Sequence, residues 1–160
     1  MPIRSASRPG DCPSAVRVIM IGRTLARPTE RVDLGSNAKS GGGAVSELLG
    51  IARFKFHEGK LGEFKRLSAQ AMEIVRTKDS GTLQYDTYFN DDQSECIVIE
   101  RYRDSEAAIE HAANLADVSA AVLATVSVVH GELLGEPSEE LRANLADMEV
   151  PELFTPYESM

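Results

Sequence analysis

The apolar residues between positions 47 and 135 change their period in a fixed order, and this order constrains the fold more than any other feature of the chain. A strand-type run at 49–56 is followed by a helical stripe at 61–75, where apolar residues recur at steps of three and four. Two further strand-type segments, 82–90 and 95–103, are joined by a short polar turn. These two segments therefore predict a β-hairpin after the first helix.

An alanine-rich helix and a last strand complete the pattern. Asp104 is a natural N-cap, and Glu106 is placed to favour the positive end of the helix dipole. We expect this helix to run to about Ala116 or somewhat beyond, and a β-branched strand over Thr125–Leu134 to end at Gly135. The order β-α-β-β-α-β predicts an α+β, ferredoxin-like fold, with an antiparallel sheet and both helices on one face.

The other face of the predicted sheet also carries apolar residues, and this pattern leaves no helix to cover it. Uncovered apolar faces mark association surfaces, and a second copy of the same chain is the simplest cover. The sequence therefore predicts a homodimer, arranged as a dimeric α+β barrel.

Residues 1–46 differ in composition from the domain that we place at 47–135. They hold six of the twelve glycines, four of the seven prolines and none of the nine aromatic residues, with a net charge of +4. Such a segment buries too little apolar area to offset the entropy of ordering the chain. We predict a disordered or weakly ordered N-terminal extension; the alternative is translated sequence upstream of the natural start.

Residues 136–160 have the opposite charge, −6. A helix start at 136–140 is followed by Leu141, Leu145 and Met148, which share one helical face. An apolar patch then follows at 150–154. We predict a C-terminal helical arm that docks against the domain or its partner.

Charge and composition exclude several classes of partner. The net charge of −8 and a pI near 4.9 oppose binding to nucleic acid. The longest uncharged apolar stretch, 118–129, is too short to span a membrane. Cys12 and Cys96 do not form a C-x-x-C pair, nor do they share metal-ligand spacing with the three histidines. We therefore expect reduced thiols, a cytoplasmic protein and no bound metal.

Three segments resemble one known family. The segment 100–111 fits E-x-[WY]-x-[DS]-x-x-A-x-x-x-H, through Glu100, Tyr102, Asp104, Ala107 and His111. The segment 81–88 fits G-[TC]-L-x-Y-x-x-Y, and 57–60 forms a Gly-Lys turn before the first helix. Together they resemble the antibiotic biosynthesis monooxygenase (ABM) superfamily over roughly residues 49–134, with both tails outside the match.

The resemblance implies a fold and a dimer more firmly than a reaction. Members include cofactor-independent oxygenases of quinols and polyphenols, haem-degrading oxygenases, and isomerase-like signal-processing proteins. It implies a cofactor-independent monooxygenase acting on a quinol-like or polycyclic aromatic molecule. The alternative is a non-catalytic dimeric module that binds a small ligand or serves a stress response.

Two departures from the family bear on that choice. Ala116 stands where the family often has a second histidine, which favours the non-catalytic alternative. The chain also has no Trp, which argues against the haem-degrading branch. No phosphate-binding loop or flavin motif is present in the sequence, so no cofactor is expected.

His111 is the first candidate for chemistry, because it shares a helical stripe with alanines and should face the sheet. It is either a core histidine bonded to a strand carbonyl or a base beside a pocket. Tyr85 and Tyr102, on the hairpin strands, are the other predicted catalytic residues. The alternative for both tyrosines is ordinary cross-strand packing.

Tyr88, Asn114 and Arg101 are the predicted substrate-binding residues. Tyr88 would stack on an aromatic ring, Asn114 would orient a substrate oxygen, and Arg101 would meet an anionic group. Cross-strand packing is the alternative for Tyr88, a solvent-exposed side chain for Asn114, and a solvent or interface ion pair for Arg101. For Glu100, which shares a strand face with Tyr102, we predict an interface salt bridge rather than catalysis.

A chain that begins at Val45 should fold as stably as the full chain, because the removed residues cannot form a core of their own. The expected result is a melting temperature within about 4 °C of the full chain, which corresponds to less than about 1 kcal/mol. Thermal unfolding of both chains measures this. A larger loss would show that the extension packs against the domain.

Overall fold

A computed structural model describes residues 46–158, and the predicted N-terminal extension lies outside these residues except for Ser46. Within this range the fold is α+β, with three helices and a five-stranded sheet, which confirms the predicted fold class. The elements in chain order are β1 Leu48–Phe56, α1 Leu61–Lys78, β2 Thr82–Phe89, β3 Glu95–Tyr102, α2 Ser105–Leu123, β4 Val126–Leu134, α3 Glu139–Leu145 and β5 Glu152–Phe154.

The strands lie in the order β2-β3-β1-β4-β5. The first four form antiparallel neighbours, as the ferredoxin-like order requires. β5 adds to the outer edge of β4 in parallel, pairing Leu133 with Leu153. The sequence predicted an apolar docking patch at 150–154 but not a strand.

Both long helices pack on one face of the sheet, and alternate residues of the strands are buried beneath them. One core cluster joins the sheet to Phe64 and Leu67 of α1 and to Leu115 and Val118 of α2. Its strand members include Ala52, Phe54, Cys96 and Val98. Even-numbered residues of β1 and β3 therefore face the helices, and odd-numbered residues face away.

The face of the sheet opposite the helices is the open face, and it carries Ile51, Ile97 and Ile99 at its centre. Ile51 pairs directly with Ile99, and each is only partly buried. Within residues 46–158, every helix packs on the other side. The centre of the open face is therefore apolar, and no helix within this range covers it.

The C-terminal arm consists of α3, β5 and the residues that link them. α3 begins after Ser138, whose hydroxyl accepts a hydrogen bond from the Leu141 amide. Leu141 and Leu145 are buried in a second core cluster with Tyr102 and Leu133. The arm thus docks on its own domain, beside α2. No helix among the described residues is long and apolar enough to cross a membrane.

Candidate functional site

His111 lies two turns into α2 and faces the sheet. The Asp104 carboxylate starts this helix by accepting a hydrogen bond from the Ala107 amide at 2.8 Å. His111 is then buried, 4% exposed, between Ala108 and Ala112. These small neighbours leave room beside the imidazole ring.

Asp79 holds one nitrogen of His111. The Nδ1 atom lies 2.6 Å from Asp79 Oδ2, and both side chains are almost fully buried. The same carboxylate accepts hydrogen bonds from Asn114 Nδ2 at 2.8 Å and from Thr82 Oγ1 at 2.7 Å. Three donors thus fix the carboxylate, and the carboxylate fixes the orientation of the imidazole.

Glu100 lies on the other side of the imidazole. Its Oε1 atom is 3.8 Å from His111 Nε2, which is too far for a hydrogen bond. Its Oε2 atom accepts a hydrogen bond from the Tyr102 hydroxyl at 2.6 Å. The Nε2 atom is consequently buried without a hydrogen-bond partner among the described residues. Buried polar atoms are rarely left this way, so the atom marks a position for a ligand group or a water.

Two aromatic rings enclose the imidazole. The Tyr85 and Tyr102 ring centroids lie 5.3 and 5.2 Å from that of His111. Tyr85 comes from β2, where it pairs with Glu100 across the hairpin. The three predicted catalytic residues therefore come together in one place.

The titration of His111 reflects two opposing effects. Burial lowers the pKa of His111, but the neighbouring Glu100 and Asp79 carboxylates outweigh burial and raise it above 6.5. Burial alone would raise the pKa of Asp79, but its three hydrogen bonds outweigh burial and hold it below 3.8. The histidine therefore holds its proton more strongly than a free imidazole.

Both tyrosines hold their protons strongly. Burial, followed by the charge of Glu100, raises the pKa of Tyr85 and of Tyr102 far above 10. Each phenol stays protonated across the physiological range, so it can donate a hydrogen bond but cannot act as a base.

A small cavity of about 40 Å³ adjoins His111. Its lining includes Gly50, Glu100 and Tyr102 of the sheet, and Leu141 and Leu145 of the arm form another wall. This volume is enough for a few water molecules, each of which needs about 10–15 Å³. No group of three acidic, histidine or cysteine side chains suited to a metal ion is found within residues 46–158.

The structure places only one of the three predicted binding residues near His111. Asn114 is close to His111, but its amide is committed to Asp79. Tyr88 and Arg101 lie on the open face, on the far side of the sheet from His111. Tyr88 is 53% exposed, and its hydroxyl donates a hydrogen bond to Asp86 Oδ2. The Nε atom of Arg101 lies 3.9 Å from Glu47 Oε2.

Sequence reasoning missed Asp79 and misplaced Glu100. Asp79 is the C-cap residue of α1, and an acidic side chain there is unfavourable for the helix dipole, which is the local signal of another role. The predicted interface salt bridge of Glu100 is wrong, because even-numbered residues of β3 face the helices and bury it beside His111. His130 is exposed and contacts Glu132, and exposed His57 contacts Ser127.

Comparison with solved structures finds the same fold. MupZ from Pseudomonas fluorescens is 26% identical and superposes with a TM-score of 0.62, covering 71% of this chain and 88% of its own. Rv0793 from Mycobacterium tuberculosis is 25% identical with a TM-score of 0.50, and the match covers 58% of this chain and 97% of Rv0793. SnoaB, a cofactor-independent oxygenase from Streptomyces nogalater, is 19% identical with a TM-score of 0.49, covering 55% and 90%. That last similarity is too low to carry an inference about this chain.

A family model also matches the part of the chain that forms the site. No curated protein matches the chain. The family model described as antibiotic biosynthesis monooxygenase matches residues 49–123, which run from β1 to the end of α2 and include Asp79, Glu100 and His111. Residues 49–123 of this chain therefore belong to the antibiotic biosynthesis monooxygenase family.

Proposed function

We propose that this protein is a cofactor-independent monooxygenase in which His111 takes a proton from a quinol-like or polycyclic aromatic substrate. The observation that carries the proposal is the buried Nε2 atom of His111, which has no hydrogen-bond partner within the described residues and belongs to a residue that borders a cavity. Family membership over residues 49–123 supports the class of reaction.

Asp79 prepares His111 for this role. The carboxylate accepts the Nδ1 proton, so a neutral imidazole carries its lone pair on Nε2, on the side of Glu100. An acid–base group needs both a defined tautomer and a position within reach of the substrate proton. Tyr85, which remains protonated, would donate a hydrogen bond to the phenolate oxygen that forms.

The reaction then needs only the substrate and molecular oxygen. A deprotonated quinol-like ring gives one electron to oxygen, and the two radicals join through a new carbon–oxygen bond. Cleavage of the oxygen–oxygen bond leaves one oxygen atom on the substrate and releases the other as water with two substrate hydrogens. The substrate supplies every electron, so the protein has to supply a base, a hydrogen-bond donor and a site shielded from water.

The small size of the cavity favours the alternative function, a non-catalytic module that binds a small ligand. About 40 Å³ lies far below the roughly 300–1,000 Å³ of common ligand pockets. In that case the Nε2 atom and Glu100 would bind a small hydroxyl group or water rather than carry out chemistry. Turnover distinguishes the two functions.

We further propose that the protein is a homodimer, joined through the open face. The direct cross-strand pair Ile51–Ile99 lies at its centre and is only partly buried in one chain. Apolar area of this kind is stabilised by burial against a second copy. The buried, free Cys96 agrees with a reducing, cytoplasmic location.

His111→Gln should abolish most of the activity while keeping an amide near Asp79. With a panel of quinols, we expect oxygen uptake to fall by about 10²–10⁴-fold, the usual contribution of a positioned base. His130→Gln, on an exposed histidine, serves as the matched control. Unchanged uptake in His111→Gln, together with a lower melting temperature, would assign His111 to the core alone.

Light scattering should give a mass near twice 17.4 kDa, because residues 46–158 leave the apolar centre of the open face only partly buried. Ile99→Lys places a charge in that face and should shift the mass to that of the monomer. Ala116→Lys, on the exposed side of α2, should leave the dimer intact. A native chain that is monomeric at micromolar concentration would contradict the proposal.

Asp79→Asn should change how stability depends on pH. The pKa of His111 is raised, so its contribution is full below pH 6.5 and is lost as the pH rises through the folded pKa. The pKa of Asp79 is lowered, so its contribution is full above pH 3.8 and is lost as the pH falls through the folded pKa. The free energy of unfolding of the native chain should therefore exceed that of the variant most between pH 3.8 and pH 6.5, by about 1–3 kcal/mol.

Urea unfolding over a series of pH values measures this difference. Asp117→Asn, on the exposed surface of α2, is the matched control and should give a profile parallel to that of the native chain. If the Asp79→Asn profile were parallel as well, the pair would not titrate on unfolding.

A further inference from the structure

The C-terminal arm forms one wall of the cavity beside His111. Leu141, Leu145 and Pro151 of the arm border the same cavity as Glu100 and His111. Leu141 is 1% exposed and Leu145 is 7% exposed, so both leucines fill space above the site. The family match ends at residue 123, so this wall lies outside the matched domain.

The cavity is smaller than an aromatic ring. A cavity of roughly 150 Å³ can hold benzene. The cavity beside His111 measures about 40 Å³. A quinol-like ring can thus occupy the cavity only if lining side chains move, and those of the arm are the ones that belong to neither the four-stranded sheet nor α2.

Few polar contacts fasten the arm to the domain. β5 pairs with β4 over only three residues, and the Gly135 amide donates to the Phe154 carbonyl at 2.9 Å. One further hydrogen bond joins the Ser138 amide to the Ser105 hydroxyl. The arm is therefore held mainly by the burial of Leu141 and Leu145 in the second core cluster.

We propose that Leu141 and Leu145 determine the size of the ligand that reaches His111, because they occupy the space that a substrate ring would fill. This inference rests on the proposed function, since it takes the ligand to be a phenolic aromatic. The native chain binds such a ligand from a state in which the arm is displaced. Its apparent affinity is lowered by the small population of that state.

Substitutions at Leu145 test this in both directions. Leu145→Ala removes part of this wall and should strengthen the binding of 1-naphthol by about tenfold or more, since less of the arm has to move. Leu145→Phe fills the space and should weaken binding by a similar factor. Met148→Ala is the matched control, because Met148 packs on the same cluster but does not border the cavity.

The probe is 1-naphthol, measured by its fluorescence on the full chain without oxygen, so that binding is observed apart from turnover. Thermal unfolding of each variant confirms that it is folded, and Leu145→Phe serves if Leu145→Ala does not fold. Affinities within about twofold of the native chain for both folded Leu145 variants would overturn the inference. If the size trend holds but no quinol is oxidised, the monooxygenase proposal fails and the assignment of Leu141 and Leu145 stands.

Discussion

The buried hydrogen bond between Asp79 and His111 connects the end of α1 to the middle of α2, and the rest of the site depends on it. A buried charge is tolerated only where partners compensate for lost hydration, so the loop that carries Asp79 must lie close to α2. The two residues after Asp79 hold this loop against α2. Ser80 binds Glu110 through its amide and hydroxyl, and any side chain at Gly81 would collide with Ala107.

The same interaction makes the two sides of the imidazole unequal. Nδ1 is fully engaged, whereas Nε2 has Glu100 only at 3.8 Å, and His111 borders a cavity whose other walls are largely apolar. Burying a histidine between two carboxylates is not an efficient way to stabilise a core, because apolar residues of similar volume often do as well. A polarised base with one free nitrogen is, by contrast, what proton transfer needs. This inequality is why the site supports chemistry better than it supports packing.

Periodicity predicted the first four strands and both long helices, and the helical stripe with the alanines predicted that His111 is buried. Periodicity could not predict contacts between residues that are distant in the sequence. Asp79 and His111 are 32 residues apart, and nothing local in either segment indicates that they meet. Alternation placed Glu100 and Tyr102 on one face but could not say which face lies under the helices. β5 has three residues and pairs in parallel, too short for any period to show.

Strand β3 links the two proposed roles of the sheet without mixing them. Glu100 and Tyr102 face the helices and border the cavity, while Ile99 and Arg101 between them face the open side. Because neighbouring side chains on a strand point to opposite faces, a substitution at Ile99 can break a dimer without touching the ligand site. The arm lies on the helix side as well, beside α2. A ligand could therefore reach His111 by displacing the arm while the two sheets of a dimer stay packed, so assembly and ligand entry would be independent of one another.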